Sequence, residues 1–367
     1  MSETETRPEP DRRPGAPHPR ETVSLHGQAP AEAAFLEAAH GGRMHHAWLV
    51  TGPAGIGKAT LAWRIARYML AGGTGASLEM DPATRVFRQA AQLSAPGLVL
   101  CRRPWDEKAK RLRAEITVEE ARGLKSAFQM SAPDGAWRVA IIDAVDEMNV
   151  AAANALLKIL EEPPAEAMLL LVCHRPSRVL PTIRSRCREL RCRPLGAEDL
   201  GRALAGAGHP VSETEARVLT ALSGGSAGEA LDLAAGGGIA LYNEAVALLA
   251  GGCPLDRRRM LALAEACSGP DAAERFRLTL RLLELVLARL GRAGAGAAPE
   301  PVSEAEAGLL AHLGRSQDQA RIWAGRASEI RARAETARAV NLDPAQVILD
   351  TLLQIDAAAA EANRLAA

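Results

Sequence analysis

From residue 22 to about 195, short apolar runs alternate with stretches of helical periodicity. The runs are 47–51 (AWLVT), 98–101 (LVLC), 138–143 (RVAIID), 168–173 (MLLLVC) and 189–193 (ELRCR). Each is bounded by Gly, Pro or Asp, and the first four are apolar at nearly every position, as strands covered on both faces must be. This pattern predicts an α/β domain: a parallel sheet with covering helices. After Pro194 the strand signals stop. Residues 196–208 and 212–234 read as short helices broken at glycines, and from Leu241 on long Ala/Leu/Arg segments dominate, with a Gly-rich loop over 291–304. Ser303 is placed to cap the helix after that loop. Asp343 as N-cap, Pro344 in the first turn and Gln346 closing a capping box open the last helix. Four segments follow: a disordered tail over 1–21, the α/β domain over 22–195, a small helical lid domain over 196–238 and an all-α domain over 239–367.

Composition narrows the class without naming a function. The 367 residues suffice for two or three cores, and 48% of them are hydrophobic but only 3% aromatic, so Ala and Leu carry the interior. Lys+Arg and Asp+Glu both number 44, so no global field advertises nucleic acid or a membrane surface. The first 21 residues are rich in Pro and charge, without the apolar stretch of a secretory signal or anchor, and no run reaches a membrane span. Six cysteines are scattered without a CxxC pair, which fits reduced thiols in a cytoplasmic protein better than a disulfide or metal framework.

The first strand is followed by GPAGIGKAT, residues 52–60, and then by a helical segment. Glycines at this spacing let backbone N–H groups and a helix N-terminus face a phosphate, and the lysine neutralises its charge. Gly52, Gly55, Gly57 and Lys58 supply those features, but Ala59 stands where a magnesium-binding hydroxyl belongs. Thr60 is one position late, roughly 100° around the helix. The strand 138–143 ends in Asp143, placed to position magnesium, and the next residue is Ala144 rather than an acid that would polarise water. ATP or ADP with Mg²⁺ is therefore a candidate ligand, and binding and mere retention of the loop's shape both stay open. The acidic pair Asp146–Glu147 follows off the strand end and reads first as a polar helix entry.

Other polar clusters are less specific. Glu161 and Glu162 end a helix where the dipole disfavours negative charge, which fits either a functional surface or a solvated end. His45–His46 and His174 read as packing or polar contacts rather than metal ligands. The segment 101–113 (CRRPWDEKAKRLR) suits a solvated basic face, with DNA contact as the alternative. Arg186, in SRC after a short helical turn, is offset from the strand in a way that suits reaching a phosphate across a subunit boundary.

ANALLKILEEPP (153–164) with LPTIRSRC (180–187) resembles the clamp-loader branch of AAA+ proteins, and within it the delta-prime family. The specific likeness covers about residues 22–235 and extends more loosely through the C-terminal helices. The resemblance implies a pentameric ring in which a rigid subunit sits beside ATP-hydrolysing tau/gamma subunits. With a delta subunit they open the sliding clamp and set it on primed DNA. It further implies that Arg186 is an arginine finger delivered to a neighbour's ATP site, and that residues from about 240 on form an oligomerising collar. Active members carry an arginine in a G-S-x-R-x-A stretch of the small helical domain, and here GSAGEA puts Gly228 in its place. Many relatives also carry a four-cysteine zinc module after the phosphate-loop helix. Residues 70–115 hold only Cys101, so no zinc is expected. An active ATPase motor and a stand-alone DNA-binding module remain as alternatives.

Overall fold

The computed structural model describes residues 8–42, 44–129, 137–269, 272–339 and 342–365. They divide into two compact units: residues up to 216 with 224–231, and 217–223 with the chain from 232 on.

The first unit contains α1 (Ala29–His40), β1 (Ala47–Thr51), α2 (Lys58–Leu70), α3 (Arg85–Ala91), β2 (Leu98–Arg102), β3 (Trp105–Asp106), β4 (Arg111–Leu112), α4 (Val118–Gln129), β5 (Arg138–Asp143), α5 (Val150–Glu161), β6 (Ala167–Cys173), α6 (Pro181–Arg184), β7 (Arg188–Arg191) and α7 (Ala197–Gly206). Five strands form a parallel sheet in the order β2-β5-β6-β1-β7, and β3 and β4 form a separate antiparallel pair. The fold is thus the α/β sheet anticipated from the apolar runs.

Alternation along the central strands explains why those runs are continuous. Val139, Ile141, Met168, Leu170, Trp48 and Val50 join a core with α1 to α3. Their neighbours Ala140, Ile142, Leu169, Leu171, Ala47 and Leu49 join a second core with α4 to α6. Each strand therefore stabilises two layers, and burial of one such side chain contributes about 1.5–3 kcal/mol.

The boundary between the units runs through α8 (Glu213–Ser223) and α9 (Ala227–Ala235). The second unit continues with α10 (Gly238–Ala250), α11 (Arg257–Glu265), α12 (Ala273–Gly294), α13 (Glu304–Leu313), α14 (Gln317–Ala339) and α15 (Pro344–Arg364). Ser303 accepts from the Glu306 N–H at 3.3 Å and Asp343 from the Gln346 N–H at 3.0 Å, as their cap positions demand. The loop expected over 291–304 begins later, because α12 runs on to Gly294. Its glycines let α14 approach: a Cβ on Gly294 would stand 2.5 Å from the Ser316 carbonyl oxygen. Inside this unit Arg289 and Glu306 form a buried ion pair at 2.5 Å, and Tyr242 donates to Glu306 at 2.6 Å.

Two segments differ from expectation. Of the tail expected to be disordered over 1–21, residues 8–21 take defined positions against the first unit, while 1–7 lie outside the described residues. Glu9 pairs with Arg20 at 2.8 Å and Arg102 at 2.7 Å, Asp11 pairs with Arg102, and His18 lies 3.4 Å from Asp11. Arg67 donates to the carbonyls of Arg20 (2.8 Å) and Thr22 (3.0 Å), and Arg64 to that of Val23. Local composition cannot bury an apolar core, but these charges and carbonyls find partners on α2 and β2. Second, the lid expected over 196–238 divides between the units, with 196–216 and 224–231 in the first and 217–223 and 232–238 in the second. Leu195 N–H donates to Gly225 O at 2.9 Å, and residues 224–231 join the α/β unit through further bonds described below.

Candidate phosphate-binding site

The loop lies between β1 and α2, at the carboxyl ends of the parallel strands. Register pairs Thr51 with Cys173 and Asp143 with Val172, so β6 lies between the loop's strand and the strand ending in Asp143. This is the crevice where open parallel sheets accept ligands.

Gly55 shows why the loop needs glycine. Its φ is +74°, and a Cβ there would collide with Ser226 Oγ and stand 3.2 Å from Gly228 Cα. The close approach is held by two hydrogen bonds: Ser226 Oγ donates to Ala54 O at 2.9 Å, and Gly228 N–H to Gly55 O at 3.0 Å. Gly57, also at positive φ, precedes α2 and leads directly into Lys58. Buried Gln28 fastens the loop from another side, donating to Ile56 O at 3.0 Å and Arg193 O at 2.8 Å.

Lys58 is 2% exposed and turns its ammonium back onto Pro53 O. Burial lowers it to about 8, against the pull of nearby thiols and of Asp143. Burial, reinforced by Asp11 and Glu147, raises Asp143 to about 7, while Lys58 and Arg102 oppose the shift. His174 is pushed to about 4 by burial and by Lys58, so its imidazole is neutral at physiological pH.

Lys58, Thr60, Asp143 and His174 all line one cavity of about 610 Å³, the size of a small-molecule site. Gly55, Gly57, Ala59 and Gly228 line it as well. Its remaining wall comes from the N-terminal segment, including Asp11, Arg13 and Leu25, and from residues of α7 and α9 such as Ala203 and Leu231. The residues present fit a polyphosphate: a glycine loop, a helix N-terminus and a lysine. They fit a magnesium ion less completely, because Asp143 is present while position 59 has no hydroxyl. Among the described residues, no three His, Cys, Asp or Glu side chains gather as a metal site.

The acidic pair after β5 is committed elsewhere. Asp146 accepts from the His174 N–H at 2.8 Å and pairs with Arg175 at 3.4 Å; Glu147 pairs with Arg103 at 2.9 Å. Ala144 is buried. In the basic segment, Arg102 and Arg103 are thus tied to carboxylates, and Arg113 lies 3.5 Å from Asp106. His45 and His46 stack at 4.6 Å, and His46 contacts Leu160 O at 3.0 Å.

Arg186 does not line this cavity. It follows α6, with Nη2 2.9 Å from Glu161 and Nη1 donating to Thr182 O at 3.0 Å. Its side chain is 37% exposed. The carboxylate at the unfavourable end of α5 is therefore the partner of the candidate finger. Sequence reasoning missed Gln28, Ser226 and Arg13. A usable signal existed for the N-terminal segment: Arg64 and Arg67 interrupt the apolar run of α2 and need acceptors.

Residues 27–196 match the family "DNA polymerase III, delta subunit". Over 193 residues the chain is 40% identical to DNA polymerase III subunit delta' of Pseudomonas aeruginosa, spanning 51% of this chain and 55% of that protein. The α/β region is thus similar to delta and delta' subunits of DNA polymerase III. A second delta' subunit, from Yersinia pestis, is 33% identical over 146 residues, 40% of this chain and 41% of that protein. DNA polymerase III subunit tau of Salmonella typhimurium is 30% identical over 259 residues, 68% of this chain and 38% of that protein. The chain thus matches about half, or less, of these relatives' length. Whole-structure likeness is low: the Thermotoga maritima RuvB Holliday junction branch migration motor covers 84% of this chain and 92% of its own at TM-score 0.39 and 16% identity.

Proposed function

We propose that the chain is a delta-prime-type, non-motor subunit of the bacterial clamp loader, acting in the cytoplasm. Its partners are delta and tau/gamma subunits, with which it helps set the sliding clamp on primed DNA. It holds ATP or ADP without turning it over, and Arg186 completes the ATP site of a neighbour. One observation supports this division of labour above the others. The cavity keeps its phosphate cradle but carries Ala59, Ala144 and Gly228, whereas Arg186 stands outside it and partly exposed.

An independent motor would need Asp146 or Glu147 to act on the attacking water, and both are engaged with arginines. A stand-alone DNA-binding role is disfavoured because three arginines of the 101–113 segment have acidic partners. The deciding experiment is DNA-stimulated ATP hydrolysis by the reconstituted complex containing Arg186→Ala. Folding and assembly stay intact and turnover falls by about 10³-fold or more, as when other arginine fingers are removed. Unchanged turnover in an assembled complex overturns the proposal.

A further inference from the structure

We propose that Arg13, carried by the N-terminal segment, is an anion-binding residue of the cavity and contacts the phosphates of a bound nucleoside polyphosphate alongside Lys58. The inference rests on the proposal that this cavity holds a nucleotide.

The placement follows from a space left empty by a glycine. Gly228 bonds directly to the phosphate loop, its N–H donating to Gly55 O at 3.0 Å. A Cβ built on Gly228 would collide with Arg13 Nη1, and would lie 3.1 Å from Cζ and 3.2 Å from Cδ of the same side chain. The volume a longer residue at 228 would fill is thus taken by a guanidinium from a segment 215 positions earlier in the chain. That guanidinium lines the same cavity as Lys58, Thr60 and Asp143. It also lies 4.0 Å from Glu229, a long contact with both side chains about 30% exposed. A guanidinium at this place can hold a phosphate through two parallel hydrogen bonds.

The segment is anchored well enough to hold this geometry. Asp11, two residues away, has a side chain only 1% exposed and pairs with Arg102 and His18. Downstream, Arg64 and Arg67 hold the carbonyls of residues 20, 22 and 23. Both anchors belong to the sheet and to the helix that follows the loop. The anchored segment is thus a fixed part of the cavity wall.

The test is equilibrium binding of ATP, ADP and inorganic tripolyphosphate to the full chain, with circular dichroism as a folding check. Arg13→Ala weakens ATP and tripolyphosphate by roughly 10- to 100-fold, the range for losing a hydrogen bond to a charged group. Gly228→Arg on its own also weakens binding, because two guanidiniums compete for one space. Combined with Arg13→Ala, Gly228→Arg restores affinity toward wild type, since the charge returns to the same place by another route. Arg13→Ala binding ATP as tightly as wild type overturns the role of Arg13 and leaves the cavity's ligand unaffected. Absence of binding by the folded wild-type chain overturns the nucleotide assignment and this inference with it.

Discussion

Asp143 shows how a single residue carries the cost of lining a buried cavity. Its carboxyl is buried beside Asp11 and Glu147 and titrates near 7, far above the value in an unfolded chain. Between about pH 4 and 7 the folded chain therefore holds a proton that the unfolded chain has released. Stability from this group is present below that window and is lost as pH rises through it. Asp143→Asn removes the penalty. Urea titrations should find the variant more stable than wild type at pH 8, by something on the order of 2 kcal/mol, with the difference vanishing near pH 4. An equal gap at both pH values would contradict the assignment. Gly55 is constrained differently, by backbone and by space. Gly55→Ala meets both the positive φ and Ser226 Oγ, and should lower stability by about 1–3 kcal/mol, read as a lower urea midpoint at unchanged slope. The loop's glycines and lysine were plain in the sequence because local spacing alone dictates them. Arg13 was not, since its meaning depends on a glycine 215 positions later.

At the level of elements, the N-terminal segment is the largest departure from what the chain's pattern foretold. Its interior is electrostatic. Burial pushes Asp11 up, but His18 and Arg102 outweigh it and hold the carboxyl below its usual value. That contribution is present above the unfolded value of about 3.9 and is lost as pH falls through the lowered one. Arg102→Ala leaves Asp11 buried without its main cation and should destabilise the first unit by about 3 kcal/mol. Limited trypsin digestion reports it as faster cleavage after Arg12 and Arg20. A digestion pattern identical to wild type would show that the segment is held by other means. The central strands, in contrast, were legible almost to the residue, because two-sided burial forces continuous apolar runs whatever the tertiary details. β7 starts one residue earlier than its apolar text suggested and ends two residues sooner, as expected of an edge strand half open to solvent. Glu161 violated a helix-end rule in the sequence, and its partner Arg186 supplies the reason.

For the molecule as a whole, two compact units imply two cooperative transitions that separate variants can address. Arg289, Glu306 and Tyr242 form the polar centre of the second unit, with Arg289 and Glu306 both 2% exposed. Arg289→Ala strands a buried carboxylate and should cost about 3–5 kcal/mol. Trp323, the one tryptophan of that unit, is fully buried and donates to Leu313 O at 2.7 Å, so its fluorescence reports the loss. Variants of Arg102 should shift the transition reported by Trp48 and Trp63 instead, both of which are fully buried in the first unit.

Local signals along the chain set the parallel sheet, the glycine-rich loop, the caps at Ser303 and Asp343, and the small residues at positions 59, 144 and 228. Those features depend on near neighbours or on burial period, and both are written locally. Tertiary structure alone decided that residues 8–21 order against the sheet and that residues 224–231 join it. It also decided that Arg186 meets Glu161 and that Arg13 meets Gly228. Each of these pairs a charge or a carbonyl with a partner remote along the chain. Such partners have no period to betray them, because electrostatic and hydrogen-bond complementarity depends on where side chains end in space.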